Sequence, residues 1–362
     1  MRILYAETTA HYPSSAHFLE ALRDMATRGE CEYHFLDESN YVSARRWLAE
    51  RAACRLMRCP PRGQRDLNRA LLHETVSFRP DVILIGKGAC FAPGTLRAVR
   101  AATGASLINW ATDDPFNPAA STRSLRDSIP LYDLYVCTKR AVMADIERAG
   151  CRRVAYVRFG YKPQVHFPEA PSTADERARF GCDVAFVGGC DRDRAPYFEA
   201  LVAALPHLRV NFFGRYYDRF PLLKPYWRAM ANGRDFRLAV SGARISLNLV
   251  RRANRDDHVM RTFEVPACGG FMLAERTPAH EQLFAEDREA AFFSSPDEMV
   301  AKVNEWLKRD EGRARVAAAG RRRIVEGGNT YRDRLDELLA VAGINRERGQ
   351  GFAMLESATD TV

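Results

Sequence analysis

Asn254-Arg255-Asp256-Asp257-His258-Val259-Met260-Arg261-Thr262-Phe263-Glu264-Val265-Pro266-Ala267-Cys268-Gly269-Gly270-Phe271-Met272-Leu273-Ala274-Glu275 is the stretch on which the fold reading turns. It reads as a polar loop, a short amphipathic helix, a glycine stop and a buried strand. Val259, Phe263 and Pro266 fall at i, i+4 and i+7, one helical face. Gly269 follows where a left-handed C-terminal cap is needed. A helix opened by Asn254, Arg255, Asp256 and His258 offers backbone N–H groups and a positive dipole end, which suit a phosphate. Asp257 and Arg261 (i, i+4) and Arg261 and Glu264 (i, i+3) make either a local salt-bridge ladder or a carboxylate set to accept from a ribose.

Upstream of this stretch, Ile245–Leu249 is a strand. Asp183–Gly189 is another, ending in Gly188-Gly189, with a helix over about 195–205 and a strand over 210–214 behind it. Downstream, 271–274 and 291–293 are strands. Ser295-Pro296-Asp297-Glu298 is a capping box with Pro at the first helical position, and helices run on to about 340. The first half shows the same alternation. Residues 2–6 form a strand, followed by a helix with Phe18, Leu19, Leu22 and Met25 inward and Ser14-Ser15 as its N-cap. Residues 41–78 are mostly helical. Strands follow at 82–86, 107–110, 133–138 and 154–159. The apolar runs, uninterrupted by polar residues, are those of parallel strands buried on both faces. The Pro-rich segment 160–168 links the halves. The fold class is therefore α/β: two doubly wound parallel-sheet domains, 1–165 and 166–345, facing across a cleft, with a polar tail at 346–362 in which Phe352–Leu355 is an apolar patch.

The chain has 362 residues, 46% hydrophobic and 28% charged, the balance of a soluble enzyme. It has no apolar run of the length that spans a bilayer, and its start lacks the pattern of a signal peptide. The net charge is +8, yet only six of the 54 basic residues are Lys, which leaves 48 Arg. That skew follows genome composition, and the bases are scattered with no aromatic-interleaved tract, so nucleic acid is not an expected partner. A basic surface suits an anionic acceptor or a peripheral contact with a membrane face. Nine Cys, an odd number without a Cys-x-x-Cys pair, point to a reducing cytoplasm and away from disulfides and structural zinc.

Several residues could carry chemistry. Gly188-Gly189 is a phosphate loop or a tight turn, and Arg192 and Arg194 after it could pair with a phosphate. Asp113 and Asp114 follow a strand end beside Trp110; they cap the next helix, bind an acceptor, act as a base, or hold metal. His11, in the loop after the first strand, is a cleft-facing base or a solvated loop residue. His280 reads as a helix or surface residue. No His/Cys/Asp spacing marks a metal site.

The stretch Asn254–Glu264, with Pro266-Ala267-Cys268-Gly269-Gly270, Glu275-Arg276-Thr277, Asn109-Trp110, Thr112–Phe116, Phe159-Gly160-Tyr161 and Phe292–Ser295, resembles the CgeB-like (spore maturation protein) glycosyltransferases of the GT-B superfamily. The resemblance spans about 80–340. It implies two Rossmann-like domains and transfer of a sugar from a UDP-, GDP- or dTDP-sugar to a glycan, lipid-linked or protein acceptor, as in bacterial surface glycan synthesis. An acidic-x7-Glu signature is matched by Asp256 and Glu264, with Asp where the family usually has Glu. By resemblance Glu264 holds the donor ribose, and Gly269 and Gly270 let the backbone approach the donor. Asp256, His258 and Arg255 lie near the sugar or the diphosphate, with Thr262, Arg261 and the Gly214-Arg215-Tyr216 loop also on the donor side. Trp110, Asp113 and Asp114 are acceptor-side. GT-B enzymes work without a metal or other cofactor, and the signature favours retention. An inverting reaction needs a base, for which His11 and Asp114 are the candidates. The alternatives are a GT-B epimerase or hydrolase of nucleotide sugars, and a non-catalytic nucleotide-sugar-binding module.

Overall fold

A computed structural model describes residues 1–8, 13–42 and 62–344. The chain divides into two compact units, one of residues 1–158 with 334–362 and one of residues 159–333. The first unit thus ends a few residues before the expected boundary, and it also claims the last helix.

The sheet of the first unit is parallel throughout, in the order β2-β1-β3-β4-β5-β6. Its strands are β1 (Arg2–Glu7), β2 (Glu32–Asp37), β3 (Val82–Gly86), β4 (Ser106–Ala111), β5 (Leu134–Cys137) and β6 (Val154–Tyr156). Alternate residues go to opposite faces, as strand geometry requires. Leu4, Ala6, Ile83 and Ile85 pack with Leu67 and Leu71 of helix Arg62–Phe78 and with Leu96 and Val99 of helix Pro93–Thr103. On the other face Tyr5 lies against Phe18, and Phe18 stacks on Trp110 with ring centroids 5.3 Å apart. The strand β2 is absent from the sequence reading. It is an edge strand whose residues are mostly half-buried, so it lacks the apolar run that marks its neighbours. Helix Pro13–Thr27 begins before Ser14 and Ser15, which therefore sit in its first turn and are buried there. Of the helical expectation over 41–78, residues 43–61 lie outside the described residues, as do His11 and the Phe352–Leu355 patch.

The second unit holds β7 (Cys182–Val187), β8 (Val210–Phe213), β9 (Trp227–Arg228), β10 (Ala243–Asn248), β11 (Met272–Glu275) and β12 (Ala291–Phe293). Their order, β12-β11-β10-β7-β8-β9, is again wholly parallel. Counted from the first strand of this unit it is 3-2-1-4-5-6 read from the far edge, the doubly wound order of dinucleotide-binding folds. Both faces are covered. Val184 and Phe186 of β7 join one apolar cluster with Phe198 and Trp306, while Ala185 and Val187 join another with Phe263 and Ile324. The two-residue edge strand β9 lies inside the Tyr/Arg-rich segment 215–235, where no strand was expected. The helix at 296 starts as expected, with the Ser295 hydroxyl accepting from the Glu298 N–H. The reciprocal bond of the capping box is shifted, since the Glu298 carboxylate accepts from the N–H of Ser294.

Candidate functional site

In open parallel sheets ligands bind outside the carboxyl ends of the strands, where the strand order reverses. In the second unit that point lies between β7 and β10. Here the chain leaves β7 through Gly188-Gly189 and leaves β10 into the polar loop.

The helix that follows differs from the expectation. It spans Arg261–Ala267, only seven residues, and Val259 lies outside it. Every residue from Thr262 to Ala267 is buried, so it is a core element with no solvent face. The N–H groups of its second, third and fourth residues are taken. Thr262 donates to the Val259 carbonyl, and Phe263 and Glu264 both donate to that of Met260. The N–H of Arg261, the first residue of the helix, has no partner among the described residues, so the donor set at the helix start is reduced to that one group. Gly269 does adopt the left-handed cap, with φ 78°. Gly270 has a packing reason of its own, since a Cβ there would meet Val240 Cγ1 at 2.5 Å.

Glu264 is 1% exposed and pairs with Arg261. Arg261 Nε donates to the Val187 carbonyl at 3.0 Å, and its guanidinium covers the Phe236 ring. The carboxylate is thus moored to the end of β7. On its other side stands His166, 3.5 Å from Glu264 Oε1 and itself buried. His166 Nδ1 accepts the Lys162 N–H, so the proton sits on Nε2 and faces Glu264. Burial holds the His166 pKa below its usual value, although Glu264 pulls the other way. The sequence reading left His166 as an ordinary residue of the linker.

Thr262 and His258, both expected at the donor, are spent inside the fold. The Thr262 hydroxyl, fully buried, accepts from Asn248 Nδ2 at 3.1 Å and from the Val259 N–H. It lies 2.9 Å from His280 Nε2. His280 Nδ1 donates to the Glu275 carbonyl, which leaves Nε2 to accept from the hydroxyl. His280 is completely buried, against its reading as a helix or surface residue, and desolvation lowers its pKa to about 4. His258 is 1% exposed; Nδ1 meets Asp257 Oδ1 at 2.7 Å and Nε2 accepts the Phe159 N–H. It pins the first residue of the unit to the polar loop, a structural role. Asp256 accepts from Asn254 Nδ2 at 2.9 Å, beside Arg255 in a left-handed conformation with φ 49°.

Arg194 is also corrected. It is 7% exposed, and its guanidinium donates to the carbonyls of Gly189, Leu249 and Val250. It fastens the ends of β7 and β10 together and is buried in that role, while Arg192 is exposed. Gly188 and Gly214 are held by their neighbours. A Cβ on Gly214 would lie 2.1 Å from the Gly188 carbonyl oxygen, and Tyr217 Oη donates to that same oxygen. At Gly189 a Cβ would make only ordinary contacts. The neighbouring N–H groups of Gly188 and Cys190 bond to the Phe213 and Arg215 carbonyls, whereas that of Gly189 has no partner among the described residues.

In the first unit Trp110 is 1% exposed and packed on Phe18, a core side chain and not an acceptor-facing one. Asp114 is buried, and its Oδ1 accepts the Phe116 N–H at 2.9 Å, which fixes the turn after β4. Asp113 pairs with Lys87 Nζ at 2.9 Å, and Lys139 Nζ donates to the Thr112 carbonyl of the same loop.

Residues 192–340 match the glycosyl transferase-like family. No curated protein matches the chain. Among solved structures, HepE (Alr3699) of Anabaena, in complex with UDP-glucose, is similar at a TM-score of 0.65 and 11% identity, over 95% of this chain and all of that one. Sucrose-phosphate synthase of Thermosynechococcus elongatus is similar at 0.66 and 11%, over 95% and 99%. The α,α-trehalose 6-phosphate synthase of Burkholderia multivorans is similar at 0.60 and 10%, over 95% and 98%. At such identities the likeness is one of fold. The fold is GT-B, with two wholly parallel six-stranded sheets and helices on their faces.

Proposed function

We propose that the protein is a glycosyltransferase of the CgeB-like branch, moving a sugar from a nucleoside diphosphate donor to a glycan, lipid-linked or protein acceptor. The donor belongs to the second unit and the acceptor to the first. The observation that carries this reading is the buried Glu264, moored through Arg261 to the Val187 carbonyl at the end of β7, where the strand order reverses. A carboxylate there is placed to take the two ribose hydroxyls. The Gly189 N–H and the exposed Arg192 offer donors for the diphosphate. The match of residues 192–340 to the glycosyl transferase-like family supports the same assignment. A UDP-sugar is the first donor to try, because HepE is similar in fold and carries UDP-glucose.

In the reaction the bond from the anomeric carbon to the diphosphate oxygen breaks, and the electron pair leaves with the diphosphate. The acceptor oxygen then bonds to carbon, and its proton passes to the departing diphosphate oxygen. Basic side chains and backbone N–H groups neutralise the leaving diphosphate, so no metal is needed, and the sugar keeps its configuration. Among the described residues no helix is long and apolar enough to cross a membrane, and seven cysteines are free, which suits work in the cytoplasm.

Thermal shift with UDP, GDP, dTDP, CDP and ADP tests this reading. UDP is expected to raise the melting temperature, with or without EDTA, and Glu264→Gln to abolish the rise while the unliganded protein melts as a folded one. An undiminished rise in Glu264→Gln overturns the ribose assignment. A rise that vanishes with EDTA overturns the metal-free mechanism.

A further inference from the structure

The first unit carries a group of buried acids that none of the roles above uses. Its strand order reverses between β1 and β3, so a ligand site is expected at the carboxyl ends of those strands. Glu7 is the last residue of β1, and its register partner is Asp37, the last residue of β2. Glu38 follows directly. Both glutamates are buried, at 6% and 8% exposure. Glu7 lies over Gly86 at the end of β3, where any Cβ would come within 1.6 Å of Glu7 Oε2. Next in the chain, Lys87 is held at φ 53° and pairs with Asp113 from the end of β4. That pair is the accessible part, with side chains 23% and 17% exposed.

The polar accounting is incomplete. Glu7 Oε1 accepts the Thr8 N–H, and the Cys90 thiol bonds to the Glu38 carboxyl. Glu38 Oε1 is buried and has no hydrogen-bond partner among the described residues. An orphaned buried oxygen is costly, and such costs collect where a ligand supplies the missing bond. Burial, and after it the Glu38 carboxylate, raise the Glu7 pKa well above the carboxylate range, and burial raises that of Glu38 to about 7. Geometry tells which ligand. The Lys87 ammonium and the Asp113 carboxylate set a donor and an acceptor side by side at the accessible edge, next to the unpartnered Glu38 oxygen, and a set of both kinds suits hydroxyl groups, which donate and accept at once.

We propose that Glu7, Glu38 and the Lys87–Asp113 pair form a subsite for a neutral polyhydroxyl ligand, a sugar unit of the acceptor, with Glu38 Oε1 accepting from one hydroxyl. The proposal rests on reading the first unit as the acceptor side, and it names the residues and the substrate class. Glu7 faces Glu38, Lys87 and Asp113; Glu38 faces Glu7, Asp37, Lys87 and Cys90.

Saturation-transfer NMR on the full chain, with glucose and glucosamine observed directly and inorganic phosphate added as a competitor of the glucose signal, tests it. Glucose is expected to bind, more tightly than either charged probe. Glu38→Ala should weaken it about tenfold, the effect of losing one hydrogen bond to a buried group. Glu38→Gln keeps shape and fold but cannot share a proton, so glucose affinity should no longer change between about pH 6 and 8. No glucose binding, preference for a charged probe, or undiminished binding in Glu38→Ala overturns the proposal. Thermal shift with the five nucleotides in the same samples separates the two readings. Glucose binding without a shift from any of the five nucleotides retains the subsite and removes the transferase; a nucleotide shift without glucose binding does the reverse.

Discussion

A guanidinium buried among three carbonyls holds the end of β7. Arg194 reaches Gly189, Leu249 and Val250 at once because its donors fan out in one plane. An ammonium has no such span. Arg194→Lys is expected to lower the unfolding free energy by roughly 2–4 kcal/mol, nearly as much as Arg194→Met, as read by urea titration. A lysine variant as stable as the native chain would show that the three bonds are incidental. Glu38 makes a second prediction. Its folded pKa, about 7, lies above the unfolded value of 4.5. A carboxyl raised on folding contributes its stability below the unfolded pKa and loses it as pH climbs through the folded one. The melting temperature of the native chain relative to Glu38→Gln should thus fall steadily from about pH 4.5 to 7. A flat difference would place Glu38 in water.

At the scale of elements, the turns at the ends of β7 and β8 act as one piece. Gly214 has φ 150° and lies directly against the Gly188 carbonyl, so Gly214→Ala should lower the melting temperature markedly. Gly189→Ala meets only ordinary contacts and should leave stability nearly unchanged. It discriminates between the two readings of Gly188-Gly189. If the turn receives the diphosphate, Gly189→Ala keeps the fold and loses the UDP-induced shift; if the turn is only a turn, both survive. What the sequence disclosed follows the same physics. Strands buried on both faces, such as Val82–Gly86, announce themselves as apolar runs, whereas β2 and β9 are half-buried edges and read as loops. Missing β2 hid Glu38, because only the pairing of Glu7 with Asp37 brings it to the end of β1. The periodic pattern placed Val259 on a helix face, but the left-handed Arg255 and the bends after it delay the helix to Arg261. Roles set by convergence, such as Arg194 on three carbonyls or Thr262 between Asn248 and His280, leave no local mark. The Arg261–Glu264 pair is legible from its i, i+3 spacing.

At the scale of the whole chain, the two units have separate cores and share one continuous polypeptide that returns to the first. Residues from 334 on are grouped with the first unit although they follow the second in sequence. Leu335, Leu338 and Leu339 are buried, and Arg153 donates to the Val341 carbonyl at 2.7 Å. Each buried leucine is worth about 1.5–3 kcal/mol of apolar burial, so these three outweigh a sizeable share of a domain's net stability. Ending the chain at Asp333 should therefore destabilise residues 1–158 selectively. Calorimetry can separate the units, because ligand raises only the transition of the unit that binds it. In the full chain UDP is expected to raise the transition of residues 159–333. In the shortened chain that transition should stay within a few degrees of its native position, still raised by UDP, while the other falls or vanishes. A shortened chain whose UDP-sensitive transition collapses would instead assign the last helix to the second unit.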